Sequence, residues 1–315
     1  MYTGIDIGGT KCAIVNADEN GKILSKIKFP TTNVKETLSN IINAIKEIGC
    51  QNYIGISCGG PLDSKKGIIM SPPNLPGWDD IHIVEILGKE FGVPVFLQND
   101  ANACALAEWK FGAGMGTQNM IFLTFGTGMG AGLILNGKLY SGTNDMAGEV
   151  GHIRMSDNGP VGYGKSGSFE GFCSGGGIAQ IAKSIATAKL EVGETTLFCK
   201  NYEELETVTA QTVADAAKKG DADAIKVYDI CAEKLGAGLS ILIDILNPEM
   251  IVIGSIFERS GELLYEKMRN VIDRETLPFS NSVCKIVPAK LGDSIGDVAA
   301  VSVAASLKNE YNCKI

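Results

Sequence analysis

Positive charge is scarce in this 315-residue sequence: 28 Lys and Arg face 36 Asp and Glu, leaving a formal net charge of −8. Phosphate backbones are gripped by clustered cations, so that balance excludes a broad nucleic-acid surface. Nine cysteines run from Cys12 to Cys313, yet no Cys-x-x-Cys pair occurs. Widely spaced thiols in odd number fit reduced, mostly buried side chains, not a disulfide frame or a zinc ribbon. Long apolar runs are also missing. The longest uncharged stretch, between Lys110 and Lys138, holds eight glycines among its 27 residues. Gln118, Asn119 and Thr127 interrupt it, and a membrane span needs about 20 mainly apolar residues. No basic-then-apolar run opens the sequence, so no signal peptide is expected, and the reading is of a soluble, cytoplasmic protein. Low-complexity tracts and charged tails are lacking too.

What is present suits a packed protein. Hydrophobic residues make up 45% and charged residues 20%, enough to bury two ordinary domains, or one large fold with a second lobe. Short β-branched runs alternate with helical periodicities, which marks an α/β chain. Tyr2–Ile7 reads as a strand, Gly8-Gly9-Thr10 as a turn, and Lys11–Val15 as a second strand. Asn20-Gly21 is a hairpin signal before a strand at Lys22–Phe29. Val34, Leu38, Ile41, Ile42, Ile45 and Ile48 then fall at helical spacing behind Asn33, a good N-cap, with a strand at Tyr53–Ser57 to follow. The order recurs: a strand at Met120–Phe125, a glycine turn at Gly126–Gly130, a strand at Ala131–Leu135, then Asn136-Gly137-Lys138. Two copies suggest two lobes of related topology. Clustered glycines at Gly112–Gln118 mark the boundary, and the Ala/Val-rich helix near Ile295–Leu307 is expected to pack back on the first lobe. The lobes are therefore drawn as residues 1–115 plus 299–315, and residues 116–298.

In Asp6-Ile7-Gly8-Gly9-Thr10-Lys11, glycine between strands is expected to allow φ > 0 and leaves no Cβ to obstruct an anion. Successive N–H groups of such a turn, with the Thr10 hydroxyl, form an anion-binding concavity. Asp6, ending a buried strand, is placed to hold Mg²⁺ through water. Both glycine turns lead into strands rather than helices, so neither is a dinucleotide fingerprint. Gly159–Ser166 satisfies the P-loop pattern, but the polar Met155-Ser156-Asp157-Asn158 precedes it where a hydrophobic strand belongs, so it is read as coincidence. Asn99-Asp100-Ala101-Asn102 follows the apolar run Val93–Leu97, at the strand end where α/β folds build their sites. Asp100 could simply cap the helix 101–110, but a lone carboxylate there is also the minimal base for a hydroxyl. Glu149-Val150-Gly151-His152 contains one of only two histidines, and Glu170 could join it. Asn74, Asn99, Glu149, His152 and Glu170 have the donors and acceptors a polyol needs. Met129, Met146, Trp78 and Trp109 are expected in packing, and Glu203–Glu206 on a solvated face.

Four motifs, Asp6–Lys11, Leu97–Asn102, Gly126–Gly130 and Glu149–His152, with Leu291-Gly292-Asp293 before the last helix, resemble the successive signatures of the ROK family of bacterial sugar kinases. The resemblance implies an α/β, two-lobe actin-like ATPase (ribonuclease H-like) fold with duplicated βββαβα topology, closing over hexose and ATP. By that likeness Asp100 is the catalytic base. Gly59, Gly60, Asn74, Asn99, Glu149, His152 and Glu170 bind the sugar. Gly8, Gly9, Thr10, Lys11, Gly126, Thr127 and Gly128 line the phosphates, Gly175 and Gly254 lie near the adenosine, and Asp6 organises Mg²⁺. The sequence departs where many members carry a cysteine zinc motif: Val161, Tyr163 and Ser168 stand at the cysteine positions, so no structural zinc is expected. Family repressors carry a DNA-binding domain ahead of the first glycine turn, where only five residues precede Asp6, so that role is not expected. The implied partners are a hexose or N-acetylhexosamine and a second copy in a homodimer, with neither nucleic acid nor membrane. Glucose leads as substrate, with N-acetylmannosamine, N-acetylglucosamine and fructose as alternatives. A non-catalytic sugar sensor and a P-loop NTPase built on Lys165 are the rivals from other classes.

Overall fold

The computed structural model describes residues 1–312. The chain opens β1 (Tyr2–Ile7), β2 (Lys11–Ala17), β3 (Ile23–Pro30), α1 (Val34–Ile48) and β4 (Ile54–Cys58). A small hairpin of β5 (Leu62–Asp63) and β6 (Ile68–Ile69) follows, then α2 (Ile83–Phe91), β7 (Val95–Asn99) and α3 (Asp100–Phe111). The second half begins β8 (Met120–Phe125), β9 (Met129–Leu135), β10 (Lys138–Tyr140), with a short hairpin of β11 (Val161–Gly162) and β12 (Lys165–Ser166). Then come α4 (Phe169–Phe172), α5 (Gly175–Glu191), α6 (Ala210–Lys218), α7 (Ala222–Leu246) and β13 (Met250–Ile253). The chain closes with α8 (Ile256–Ser260), α9 (Tyr265–Glu275), α10 (Pro278–Val283), β14 (Lys285–Pro288) and α11 (Ile295–Asn312).

The five-stranded sheets have matching orders, β3-β2-β1-β4-β7 and β10-β9-β8-β13-β14, so the internal repeat read from the sequence is a repeat of topology. In the first sheet β1, β4 and β7 are parallel neighbours, and β2 and β3 extend it antiparallel. The buried central strands are near-continuous apolar runs, and the edge strand β3 alternates in exposure. One face buries Ile5, Ile56, Ile41, Ile45 and Leu87; the other packs Tyr2 and Val15 on Val301 and Ala304. Close approach of α11 needs glycine in the sheet: a Cβ on Gly55 would meet Ala300 O at 2.2 Å and Ala304 N at 2.7 Å. The buried Asn16 side chain accepts from Thr3 Oγ1 at 2.8 Å and donates to the carbonyls of Ile48 and Gly49, tying the end of α1 to the sheet.

The chain divides into two compact units. The first comprises Met1–Phe122, Gly132–Gly148 and the chain from Ala289 onward; the second comprises Leu123–Ala131 and Glu149–Pro288. Residues 116–122, 132–148 and 289–298 thus group with the first unit, unlike boundaries drawn at 115/116 and 298/299. In the second unit, α7 is notched by glycine: a Cβ on Gly238 would meet the Phe169 ring at 2.4 Å, and one on Gly236 would meet Met268 O at 2.7 Å. The eight described cysteines are free thiols, most of them buried, and Cys313 lies outside the described residues. Among the described residues no helix is long and apolar enough to cross a membrane.

Candidate active site

In the first unit, three parallel strands end at one edge of the sheet. Register pairs Ile7 with Cys58 and Cys58 with Asn99, so Asp6, the turn Gly8–Lys11, Gly59-Gly60 and Asn99-Asp100 all emerge there. Asn99, not Asp100, is the N-cap of α3: its Oδ1 accepts from Asn102 N at 2.8 Å. Asp100 is the first helical residue and accepts from Ala101 N at 2.8 Å. The capping role open to Asp100 thus falls to its neighbour. Asp100 keeps solvent access, yet the surrounding protein desolvates its carboxylate. That burial pushes its carboxyl above the ordinary carboxylate range, against the N–H groups of Ala101 and Asp100 itself. Asp6 is raised to about 6, first by burial and then by the charges of Asp297 and Asp100, with Lys11 and Lys26 opposing.

The turn glycines are not in the left-handed region; φ is positive at none of Gly8, Gly9, Gly126 and Gly128. Close approach is what requires Gly8, Gly9 and Gly128, whereas a Cβ on Gly126 would meet Ser255 Oγ at an ordinary 3.6 Å. A Cβ on Gly9 would meet Asn74 O at 2.5 Å, and one on Gly59 would meet Asn74 Oδ1 at 3.2 Å, so Asn74 lies against both strand-end segments. The Gly8 N–H closes the turn on Lys11 O at 3.0 Å, which leaves the Gly9 and Thr10 amides for an anion. Thr10 and Lys11 are exposed beside them.

The second unit gathers another group. Gly126 N closes its turn on Gly128 O at 3.1 Å, and Gly175 N, opening α5, donates to Gly126 O at 2.8 Å. The start of a 17-residue helix, capped by Ser174, therefore adjoins the second glycine turn, an arrangement that favours anions. Glu170 Oε2 accepts from Met129 N at 2.9 Å, and a Cβ on Gly128 would meet that oxygen at 2.7 Å. A Cβ on Gly151 would meet Met129 O at 2.3 Å and the Glu170 Cβ at 3.2 Å, so the turn carrying Glu149 and His152 packs on the same spot. Gly254 is buried and donates to Leu123 O at 3.0 Å. Glu170 is thus brought to the Glu149–His152 turn as its sequence position allowed.

A family model for the ROK family matches residues 2–306. The chain belongs to the ROK family. Over 307 residues it is 32% identical to a glucokinase of Thermotoga maritima, covering 95% of this chain and 96% of that one. The solved ROK-family glucokinase of Streptomyces griseus, in complex with glucose and AMPPNP, is 31% identical with a TM-score of 0.76, covering 96% of this chain and 98% of that one. A xylose repressor of Caldicellulosiruptor bescii is 32% identical over 254 residues, which is 80% of this chain but 62% of the repressor. The duplicated mixed sheets are accordingly those of the actin-like ATPase fold.

Against the ROK pattern, the hairpin positions without cysteine have other partners. Val161 pairs through its N–H and carbonyl with Gln180 at 2.9 Å each, and Ser168 Oγ caps α4 by accepting from Gly171 N at 3.1 Å. Tyr163 sets its ring edge-on to His152. Lys165 and Ser166 form a strand of a two-stranded hairpin, and Lys165 Nζ donates to His152 O at 2.5 Å. A P-loop lysine opens a helix after a parallel strand, so this hairpin rules out the P-loop reading. Met146 is 49% exposed and does not pack as expected, whereas Trp78 and Met129 are buried. Sequence reasoning missed Ser174, signalled by the Ser-Gly-Gly-Gly start of a helical run. It also missed the Lys26–Asp297 ion pair and Ser255, whose Oγ lies beside Gly126. Lys26 and Asp297 are 271 residues apart, and no local signal links them.

Proposed function

We propose that this chain is an ATP-dependent hexose kinase that transfers the γ-phosphoryl group of ATP to a sugar hydroxyl, with glucose O6 as the leading acceptor. The observation that carries the reading is the placement of two carboxylates, Asp6 and Asp100, at the ends of strands that flank β4. Two strand spacings, roughly 10 Å, separate such positions, room for a hydroxyl near one and a polyphosphate near the other. The kinase relatives in the family support the same reading.

In this mechanism Asp100 accepts the proton of the acceptor hydroxyl as its oxygen bonds to the γ-phosphorus. The bond from that phosphorus to the bridging oxygen breaks, and ADP leaves. Asn99 has Oδ1 engaged by the helix start, so its Nδ2 is the group offered to a sugar hydroxyl. Asn74, the Gly59-Gly60 backbone, Glu149, His152 and Glu170 hold the remaining hydroxyls. The amides of Gly9 and Thr10, the Thr10 hydroxyl and Lys11 meet phosphate, as do those of Thr127 and Gly128; Gly8 and Gly126 shape their turns. Gly175 and Gly254 line the adenosine side. Asp6 also lies within reach of the negative charges of Asp297 and Asp100, a setting that suits a divalent cation. Asp6 would hold Mg²⁺ through water, and the metal would supply charge neutralisation at the phosphates.

The decisive experiment is an ADP-release screen of purified protein with ATP and Mg²⁺ across glucose, fructose, N-acetylmannosamine and N-acetylglucosamine. Turnover with at least one hexose, highest with glucose, is expected. Sugar binding without ADP release would instead favour a sensor, the reading to which the repressor relative lends weight. The proposal extends to a cytoplasmic homodimer without structural zinc. Light scattering and elemental analysis check these last two points, and one zinc per chain would overturn the second.

A further inference from the structure

The β11–β12 hairpin is joined by two residues, Tyr163 and Gly164, with φ of 43° and 75°. Positive φ at both positions is the type I′ pattern, which favours Asn or Gly first and Gly second. Elsewhere the chain obeys that preference: Asn136-Gly137, with φ of 52° and 69°, joins β9 to β10. At Tyr163 a bulky aromatic occupies a backbone region that L-residues avoid, so the surroundings must compensate the strain. The ring is 73% exposed, which rules out core burial as its purpose. Its ring partner is His152, with centroids 5.9 Å apart and planes at 72°, an edge-to-face contact. From the next strand, Lys165 Nζ donates to the His152 carbonyl at 2.5 Å. The hairpin is itself anchored, with both backbone groups of Val161 on Gln180 and Ser166 Oγ on Gly159 O at 2.9 Å.

His152 ends a three-residue 3₁₀ turn, Val150–His152, and is exposed. An imidazole so placed samples several rotamers, and fixing one on binding a hydroxyl weakens the complex. We infer that Tyr163 is a positioning residue for sugar recognition: its ring, with the Lys165 ammonium on the carbonyl below, holds the His152 imidazole in the orientation that meets a sugar hydroxyl. The inference rests on the hexose-kinase reading and adds a residue that touches neither sugar nor nucleotide.

The test uses the full-length protein, Tyr163→Asn and Tyr163→Phe. Asn suits the turn better than Tyr, so Tyr163→Asn is expected to keep or raise the melting temperature while the sugar KM rises about three- to tenfold. The effect falls on the sugar KM rather than on kcat or the ATP KM, and Tyr163→Phe, which keeps the ring, stays within about twofold of wild type. The chain contains two histidines, His82 and His152, so proton NMR reads His152 directly. Loss of the Tyr163 ring should shift the His152 ring protons and leave those of His82 in place. Unchanged sugar KM in Tyr163→Asn, alongside normal wild-type turnover, overturns the inference and leaves the kinase reading intact. A lowered melting temperature with sugar and ATP constants worsening together overturns it in favour of a purely structural turn. Absence of wild-type turnover on every hexose fails the kinase reading itself, and the sugar role of Tyr163 with it.

Discussion

Asp6 has a carboxyl that titrates at about 6 because burial and the neighbouring Asp297 and Asp100 charges disfavour ionisation more than Lys11 and Lys26 favour it. The folded state therefore binds this proton more tightly than the unfolded chain, where the ordinary value is 3.8. Its contribution to stability is full below pH 3.8 and is lost as pH rises through about 6. In metal-free buffer at pH 7.5, Asp6→Asn should melt higher than wild type, by at most about 3 kcal/mol of stability, and the gain should fade toward pH 4. Thermal melts across that range check the sign. Catalysis should run the other way, with kcat/KM falling as pH drops below about 6 and the midpoint moving lower as Mg²⁺ is raised. Asp100→Asn should lower kcat by about 10²- to 10⁴-fold while calorimetry still detects sugar binding, because the amide keeps the shape but cannot take the proton.

At the scale of elements, the fit of α11 on the first sheet depends on glycine at two strand positions. A Cβ on Gly4 would meet Val301 N at 2.9 Å, and Gly55 is tighter still. Gly55→Ala should force α11 outward and lower stability by about 1–3 kcal/mol, read from urea unfolding. Buried Glu108, near the end of α3, accepts from Ala113 N through one oxygen and from Lys290 N and Leu291 N through the other. It secures the segment that leads into α11. Glu108→Ala would leave three part-buried backbone N–H groups without this acceptor, and a loss of about 1–3 kcal/mol is expected. The elements themselves were largely legible. Asn33 caps α1 as its position implied, accepting from Glu36 N at 3.0 Å, and Asn136-Gly137 makes its turn. Caps and turns act over three or four residues, so the sequence carries them whole.

For the whole molecule, the first unit is assembled from three separate stretches of chain, and its last stretch supplies the helix that covers one sheet face. A chain ending before Ala289 should lose that unit as well as its helix. Its soluble yield and far-UV circular dichroism should fall together, whereas an independent tail would leave both intact. The sequence alone determined the alternation of strands and helices, the repeated order of the two halves and the residue types waiting at strand ends. Those depend on periodicity, turn chemistry and capping, which are short-range. Only the tertiary structure decided that β1, β4 and β7 end side by side, which gathers Asp6, Asn74 and Asp100 at one edge. It also decided that Gly8, Gly9 and Gly128 answer to crowding rather than to φ, that Lys26 meets Asp297, and that a tyrosine in a strained turn leans on His152. Each of these is a contact between distant stretches of chain, and such contacts exist only after the core has set the distances.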